Sequence, residues 1–300
     1  MYESYYRFKE KPFSLLPDPG FLFLSKNHRM ALAMLEYGLL NQAGFTVITG
    51  EIGSGKTTLI RQLLNQIESD ENITVGLVSN THRSFGELLQ WILLAFKLEF
   101  RGKEKVELYQ TLAEFLMREH EMGHRTILII DEAQNLDIES LEQLRMLSNI
   151  NANKDQVLQL MLIGQPGLRD MLRHPHLEQF AQRIAVDFHL RPLDLQATCE
   201  YIRHRLVVAG GDPNLFEAAA CVTVFYYTRG VPRLINVLCD TALVCGFADQ
   251  KPRIDADLIH DVVRDRNIGG IFPMWGAESD DHGKVLDMHA AKNSGHSGAE

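Results

Sequence analysis

One stretch restricts this chain more than any other: Val47-Ile48-Thr49-Gly50-Glu51-Ile52-Gly53-Ser54-Gly55-Lys56-Thr57-Thr58. An apolar run of strand type, Phe45 to Thr49, leads into a glycine-rich turn. Leu59, Ile60, Leu63, Leu64 and Ile67 then fall on one face of a helix. Gly50 with Gly55-Lys56-Thr57 fits G-x-x-x-x-G-K-[ST], and a strand before and a helix after are the conditions that pattern must meet. The chemistry is anion binding. Glycines let backbone N–H groups converge without Cβ clashes, and the following helix offers its positive end. In such a loop, running from Gly50 through Thr58, Lys56 reaches the β- and γ-phosphates of a nucleotide and the Thr57 hydroxyl holds Mg2+. An ordinary glycine-rich β–α turn is the bland alternative, and the flanking elements disfavour it.

Around this loop, strands and helices alternate. Strands are expected at 45–49, 73–79, 126–131, 158–164 and 184–190, with helices at 57–68, 84–96, 105–122 and 138–149. That alternation predicts an α/β fold whose parallel sheet is covered by helices on both faces. After residue 191 only helical periodicity remains, at 194–209, 215–228, 232–248 and 255–265, broken by Gly210-Gly211-Asp212-Pro213 and Arg229-Gly230-Val231-Pro232. The expected organisation is an N-terminal arm and helix at 1–44, a nucleotide-binding core at 45–190, a small helical domain at 191–266 and a flexible tail at 267–300. The arm carries Phe8, Pro12, Phe13, Pro17, Pro19, Phe21 and Phe23, too apolar to float free, and part of it is a candidate border for the adenine. The helix from Lys26 is expected to bury Met30, Leu32, Met34, Leu35 and Leu39.

Composition narrows the class. With 300 residues, 45% of them hydrophobic, the chain can bury a full core. A net charge of -9 argues against a protein that coats nucleic acid over a broad surface. The four cysteines form no C-x-x-C pair and read as buried thiols of a reducing compartment. The N-terminus lacks the basic segment and apolar core of a secretory signal, and Leu88 to Phe96 is too short to span a bilayer. A soluble cytoplasmic protein, or one peripheral at the inner membrane, is expected.

A P-loop enzyme also needs an acid at a strand end for the metal and a second one to orient water. Thr126-Ile127-Leu128-Ile129-Ile130-Asp131-Glu132 supplies both: Asp131 for Mg2+ and Glu132 as catalytic base. Asn80, after the second strand, could hold Glu132 until a partner binds, with a turn-forming Asn as the alternative. Gln165, after the fourth strand, could sense the γ-phosphate, although Pro166-Gly167 equally suits a turn. Arg183, just before the last strand, could reach a neighbouring subunit's nucleotide, with Arg169 and Arg173 as rivals. Arg233 begins a helix, a poor place for a cation by the helix dipole, which favours an anion nearby.

Together these residues resemble the AAA+ ATPases of the ExeA (GspA) type over about residues 1–265. The resemblance rests on Pro12-Phe13-Ser14-Leu15-Leu16-Pro17-Asp18-Pro19 with Phe21-Leu22-Phe23, and on Asp131-Glu132-Ala133-Gln134-Asn135-Leu136. It rests also on Leu144-Arg145-Met146-Leu147-Ser148-Asn149, Gly164-Gln165-Pro166 and Gly230-Val231-Pro232-Arg233-Leu234-Ile235-Asn236. It implies an AAA+ core with a helical lid, ATP with Mg2+, and self-assembly into a ring or filament. By the same analogy Gly50 to Thr57 is Walker A, and Asp131 and Glu132 are Walker B. Asn80 matches the glutamate switch, Gln165 sensor 1, Arg183 the arginine finger and Arg233 sensor 2. Gln165 departs from the Asn, Ser or Thr more frequent at sensor 1. ExeA proteins carry a membrane span and a peptidoglycan-binding domain after the ATPase. Neither is read in this sequence, so the expectation leans to short relatives of exosortase, exopolysaccharide-export or pilus systems.

The expected activity is therefore Mg-dependent ATP binding and hydrolysis that drives an envelope export or assembly machine. Two rivals stand beside it: an ATP-dependent DNA-binding regulator of the MuB or TniB type, and a nucleotide-gated scaffold with negligible turnover.

Overall fold

The computed structural model describes residues 1–16, 18–68, 70–79, 85–152 and 155–269. In chain order these form α1 (Tyr2–Tyr5), α2 (Lys26–Leu40), β1 (Phe45–Gly50), α3 (Lys56–Ile67), β2 (Ile73–Val78), α4 (Phe85–Ala95), α5 (Lys105–Glu121) and β3 (Arg125–Ile130). Then come α6 (Ile138–Leu147), β4 (Asn151–Ala152), β5 (Asp155–Gln156), β6 (Leu158–Gly164), α7 (Pro166–Leu172), α8 (Glu178–Ala181) and β7 (Ile184–Leu190). The last four helices are α9 (Leu195–Val208), α10 (Ala218–Thr228), α11 (Pro232–Ala248) and α12 (Ala256–Gly269).

The chain divides into two compact units. One is the contiguous stretch Lys26–Arg191; the other joins Met1–Ser25 to the chain from Pro192 onward. The first unit holds a five-stranded sheet in the order β2-β3-β6-β1-β7, every neighbouring pair parallel. The α/β fold with a parallel sheet predicted from the alternation is borne out. Its three central strands bear out the physical reading of their sequences. β1 and β6 are buried at every position and β3 at all but its first residue, as expected where helices cover both faces. The edge strands β2 and β7 bury only some positions, and Leu77 of β2 is 45% exposed. The two-residue strands β4 and β5 make a small antiparallel pair that no periodicity announces.

Helix α2 corrects one expectation. His28, Ala31, Leu32, Leu35 and Leu39 are buried, whereas Met30 is half exposed. Positions 28, 31, 32, 35 and 39 repeat at helical spacing along one stripe, and residue 30 falls about 200° from residue 28.

The second unit is helical. Ile202, Leu206, Val224, Ile235, Leu238, Leu243 and Ile259 are fully buried in its core, and the N-terminal arm contributes Tyr2, Tyr6, Phe8, Phe13 and Phe21 to the same cluster. The Arg205 guanidinium of α9 holds the arm in place. Its Nε donates to the Pro12 carbonyl at 2.5 Å and its Nη2 to that of Ser14 at 3.1 Å. It also lies 4.5 Å from the centre of the Phe21 ring. Tyr2 Oη donates to Asp240, and Tyr6 Oη to the Lys251 carbonyl at 3.0 Å. Helix α12 runs to Gly269; the rest of the expected tail lies outside the described residues.

Candidate nucleotide site

The parallel sheet puts the carboxyl ends of β1, β6 and β3 side by side, and the candidate residues follow those three strands. Gly50 closes β1. The Ser54 N–H then donates to the Glu51 carbonyl at 3.1 Å, which curls the loop. Gly55 stands at the start of α3 with φ of 99°, a conformation that penalises any side chain. A Cβ there would also come within 2.9 Å of His28 Nε2.

Some helix starts are capped by a side chain, as where Asp137 accepts from Ser140 N before α6 and Asp194 from Ala197 N before α9, while others, α7, α10 and α11 among them, are not. No side chain caps α3. Its first N–H groups are thus left for a ligand, at the end of a helix that favours anions. The Ser54 hydroxyl is also buried without a hydrogen-bond partner.

Lys56 is the first residue of α3 and only 7% exposed. Its ammonium donates to the Gly50 carbonyl at 2.8 Å and the Glu51 carbonyl at 2.9 Å. Burial pushes its pKa down, and the carboxylates of Glu132, Asp131 and Glu51 act against that shift. His28 of α2 meets the same loop, its Nε2 lying 3.0 Å from the Ser54 carbonyl. Only a protonated Nε2 can bond a carbonyl, which fixes the tautomer. Glu51, Ile52, Thr57 and Thr58 are exposed, and Gly53 and Gly55 half-buried.

Asp131 follows β3 and is buried at 8% exposure. Desolvation raises its pKa; bonds from the Glu132 N–H at 2.9 Å and from the Thr57 hydroxyl at 3.3 Å oppose that. The Thr57–Asp131 pair is the juxtaposition a Mg2+ site requires, a hydroxyl and a carboxylate on two elements with oxygen donors only. Oxygen-only donors at this spot, the uncapped helix and the buried lysine fit a magnesium nucleotide.

Glu132 has φ of 54°, in the left-handed region that a non-glycine residue rarely occupies. The reversal sends the chain into a 3-10 turn, Ala133–Asn135. Glu132 Oε2 accepts from Gln134 Nε2 and, at 3.1 Å, from Gln165 Nε2. The structure therefore brings together Lys56, Thr57, Asp131, Glu132 and Gln165.

Asn80 falls outside the described residues. Arg183 precedes β7, which runs parallel to β1 with Leu190 paired to Gly50. Arg183 therefore sits at the amino ends of the strands, on the order of 20 Å from its own P-loop at the usual strand rise. Its Nη1 donates to Ser148 Oγ at 2.9 Å. Arg169 lies in the last turn of α7 and Arg173 is its C-cap. Arg233 is exposed in the first turn of α11, in the helical unit. Two residues that matter to the geometry carry no sequence motif of their own: His28, hidden in the apolar stripe of α2, and Gln134, one letter of the Asp131–Leu136 run.

A P-loop and an acidic strand end on a parallel β2-β3-β6-β1-β7 sheet, followed by a helical unit, define the AAA+ P-loop fold. A family model described as an AAA domain matches residues 40–172. Within that class the chain is similar to General secretion pathway protein A of Aeromonas hydrophila, 40% identical over 249 residues, or 83% of this chain. The resemblance to the ExeA/GspA type is thereby borne out. The chain spans 45% of that relative's length.

Solved structures agree on the fold. The ORC2 protein of Aeropyrum pernix in its ADPNP-ADP complexes matches with a TM-score of 0.62 at 18% identity, covering 85% of this chain and 71% of that one. The RuvB Holliday junction branch migration motor of Thermotoga maritima matches with a TM-score of 0.53 at 18% identity, covering 83% and 72%. Among the described residues, no helix is long and apolar enough to cross a membrane.

Proposed function

We propose that this chain binds ATP with Mg2+ at the Gly50–Thr58 loop and hydrolyses it to drive an envelope export or assembly machine. The observation that carries the reading is the convergence of Lys56, the Thr57–Asp131 pair and Glu132 at the carboxyl ends of β1 and β3, the two strands that flank β6.

In the reaction, Lys56 exchanges its two loop carbonyls for the β- and γ-phosphates, and the uncapped N–H groups of α3 donate to the same oxygens. Thr57 and Asp131 would hold the Mg2+, which supplies neutralisation of charge on the phosphates when bound. Glu132 orients the attacking water and accepts its proton, held by the amides of Gln134 and Gln165. Gln165 at the end of β6 lies beside Glu132, where it can report on the γ-phosphate. Arg183 is too far from its own loop, so its role requires a second copy in a ring or filament. Arg233 is proposed to bring the helical unit to the phosphates, and Asn80 to restrain Glu132. The link to export draws on the similarity to General secretion pathway protein A, with this chain spanning less than half of that protein.

The test is ATP turnover by purified protein over a concentration series, with and without duplex DNA. Turnover per subunit that rises with protein concentration and ignores DNA supports the reading. Stimulation by DNA that fades with salt would replace it with the DNA-dependent regulator. Lys56→Ala is expected to abolish nucleotide binding, and Glu132→Gln to keep binding while losing turnover by about a hundredfold or more. Undiminished affinity in the first variant, or wild-type turnover in the second, would remove those residues from the mechanism.

A further inference from the structure

Gln134 enters the reaction above only as one donor to Glu132, yet its side chain does more. After the left-handed turn at Glu132, the Ala133–Asn135 turn carries Gln134 back across the end of β6. There its Oε1 accepts the backbone N–H of Gln165 at 2.9 Å, while its Nε2 donates to Glu132 Oε2. The Gln165 side chain donates to the same Glu132 oxygen at 3.1 Å. The three residues thus form a closed circuit in which each is bonded to both others.

The amide orientation is dictated by its partners. A flipped Gln134 would set N–H against N–H and oxygen against carboxylate. The space for the bridge exists because β6 ends in a residue without a side chain. A Cβ on Gly164 would lie 2.9 Å from Gln134 Oε1 and 2.8 Å from Leu168 Cδ2. Leu168 is fully buried in the first turn of α7 and has no room to retreat.

We propose that Gln134 is a positioning residue that locks Glu132 and Gln165 into one unit, so that displacement of the β6 end moves the Glu132 carboxylate with it. The proposal rests on the hydrolytic reading of this site for its consequence, but its structural half can be read without turnover.

The experiment uses the full chain with Gln134→Met, Gln165→Met and the double variant, since Met keeps the length of Gln and removes its amide. For each, kcat and KM for MgATP are measured, and exchange of the Gln165 backbone amide is followed by NMR in nucleotide-free protein. Gln134→Met is expected to lower kcat about tenfold or more, to leave KM within about twofold, and to speed exchange at Gln165. The double variant should cost no more than about the larger single effect, because both substitutions break one circuit. Gln134→Glu keeps an acceptor for the Gln165 N–H but replaces the donor to Glu132. It should retain protection at Gln165 and still lose kcat.

Effects that multiply across the two sites, or unchanged exchange at Gln165 in Gln134→Met, overturn the proposal. So does wild-type kcat in Gln134→Glu, a variant that also decides the matter if Gln134→Met does not fold. If wild-type protein shows no turnover at all, the hydrolytic reading fails by itself. Faster Gln165 exchange in Gln134→Met then still supports the bridge, and equal exchange sinks it.

Discussion

At the residue scale, the P-loop backbone is held by two buried basic side chains. Lys56 donates to the carbonyls of Gly50 and Glu51, and His28 to that of Ser54. Burial lowers the pKa of His28, with the Ser54 bond acting the other way. Below the ordinary histidine value of about 6.5 the unfolded chain takes up a proton that the folded chain refuses, so stability is lost as pH falls through that value. His28→Gln keeps a donor toward Ser54 and cannot titrate. Its urea midpoint should fall less than the wild type's between about pH 7.5 and pH 5.5. Identical losses would show that His28 does not drive the acid sensitivity. The sequence makes Lys56, Thr57, Asp131 and Glu132 legible because a P-loop and an acidic strand end are short-range patterns. His28 and Gln134 are not legible, because their partners Ser54 and Gln165 lie 26 and 31 residues away, where no local periodicity points.

At the scale of elements, the strands were legible where burial on both faces produces an unbroken apolar run, as in Ile127–Ile130 and Leu160–Ile163. The expected elements 158–164, 184–190 and 232–248 coincide with β6, β7 and α11; most other boundaries shift by one or two residues, but α10 starts at Ala218 rather than 215 and α12 runs to Gly269 rather than 265. The pair β4–β5 was invisible because two-residue strands have no period. Ile130 is fully buried in β3 directly before Asp131. Ile130→Ala should cost about 2–5 kcal/mol in denaturant unfolding. Gly55→Ala is argued from the loop rather than the core. A side chain at φ of 99° and 2.9 Å from His28 Nε2 should destabilise the fold by about 1–2 kcal/mol and weaken nucleotide binding more than stability. Calorimetry with ATP on both proteins checks it, and equal affinities would refute the strained-loop account. In the helical unit, Arg205→Met removes the bonds to Pro12 and Ser14. It should free the arm, seen as faster amide exchange at Lys9, whose N–H bonds the Ala209 carbonyl at 2.8 Å.

At the scale of the whole molecule, Arg183 stands at the amino end of β7, away from its own P-loop, so under the proposed function it acts on a second copy's nucleotide. Arg183→Ala should bind ATP and fail to turn it over, and mixing it with Lys56→Ala should restore part of the activity. Absence of rescue in mixed oligomers would count against a role in trans. The architecture has a consequence for how the chain is made. Lys26–Arg191 is contiguous and can fold as it leaves the ribosome, but the helical unit draws on both ends of the chain. Tyr2, Tyr6, Phe8, Phe13 and Phe21 have no core to enter until the residues after Pro192 have been translated. At ordinary elongation rates that is a wait of roughly ten to fifty seconds with an aromatic segment uncovered. An arm translated before the contiguous unit is thus placed after it, and it marks where nascent-chain chaperones would be needed most.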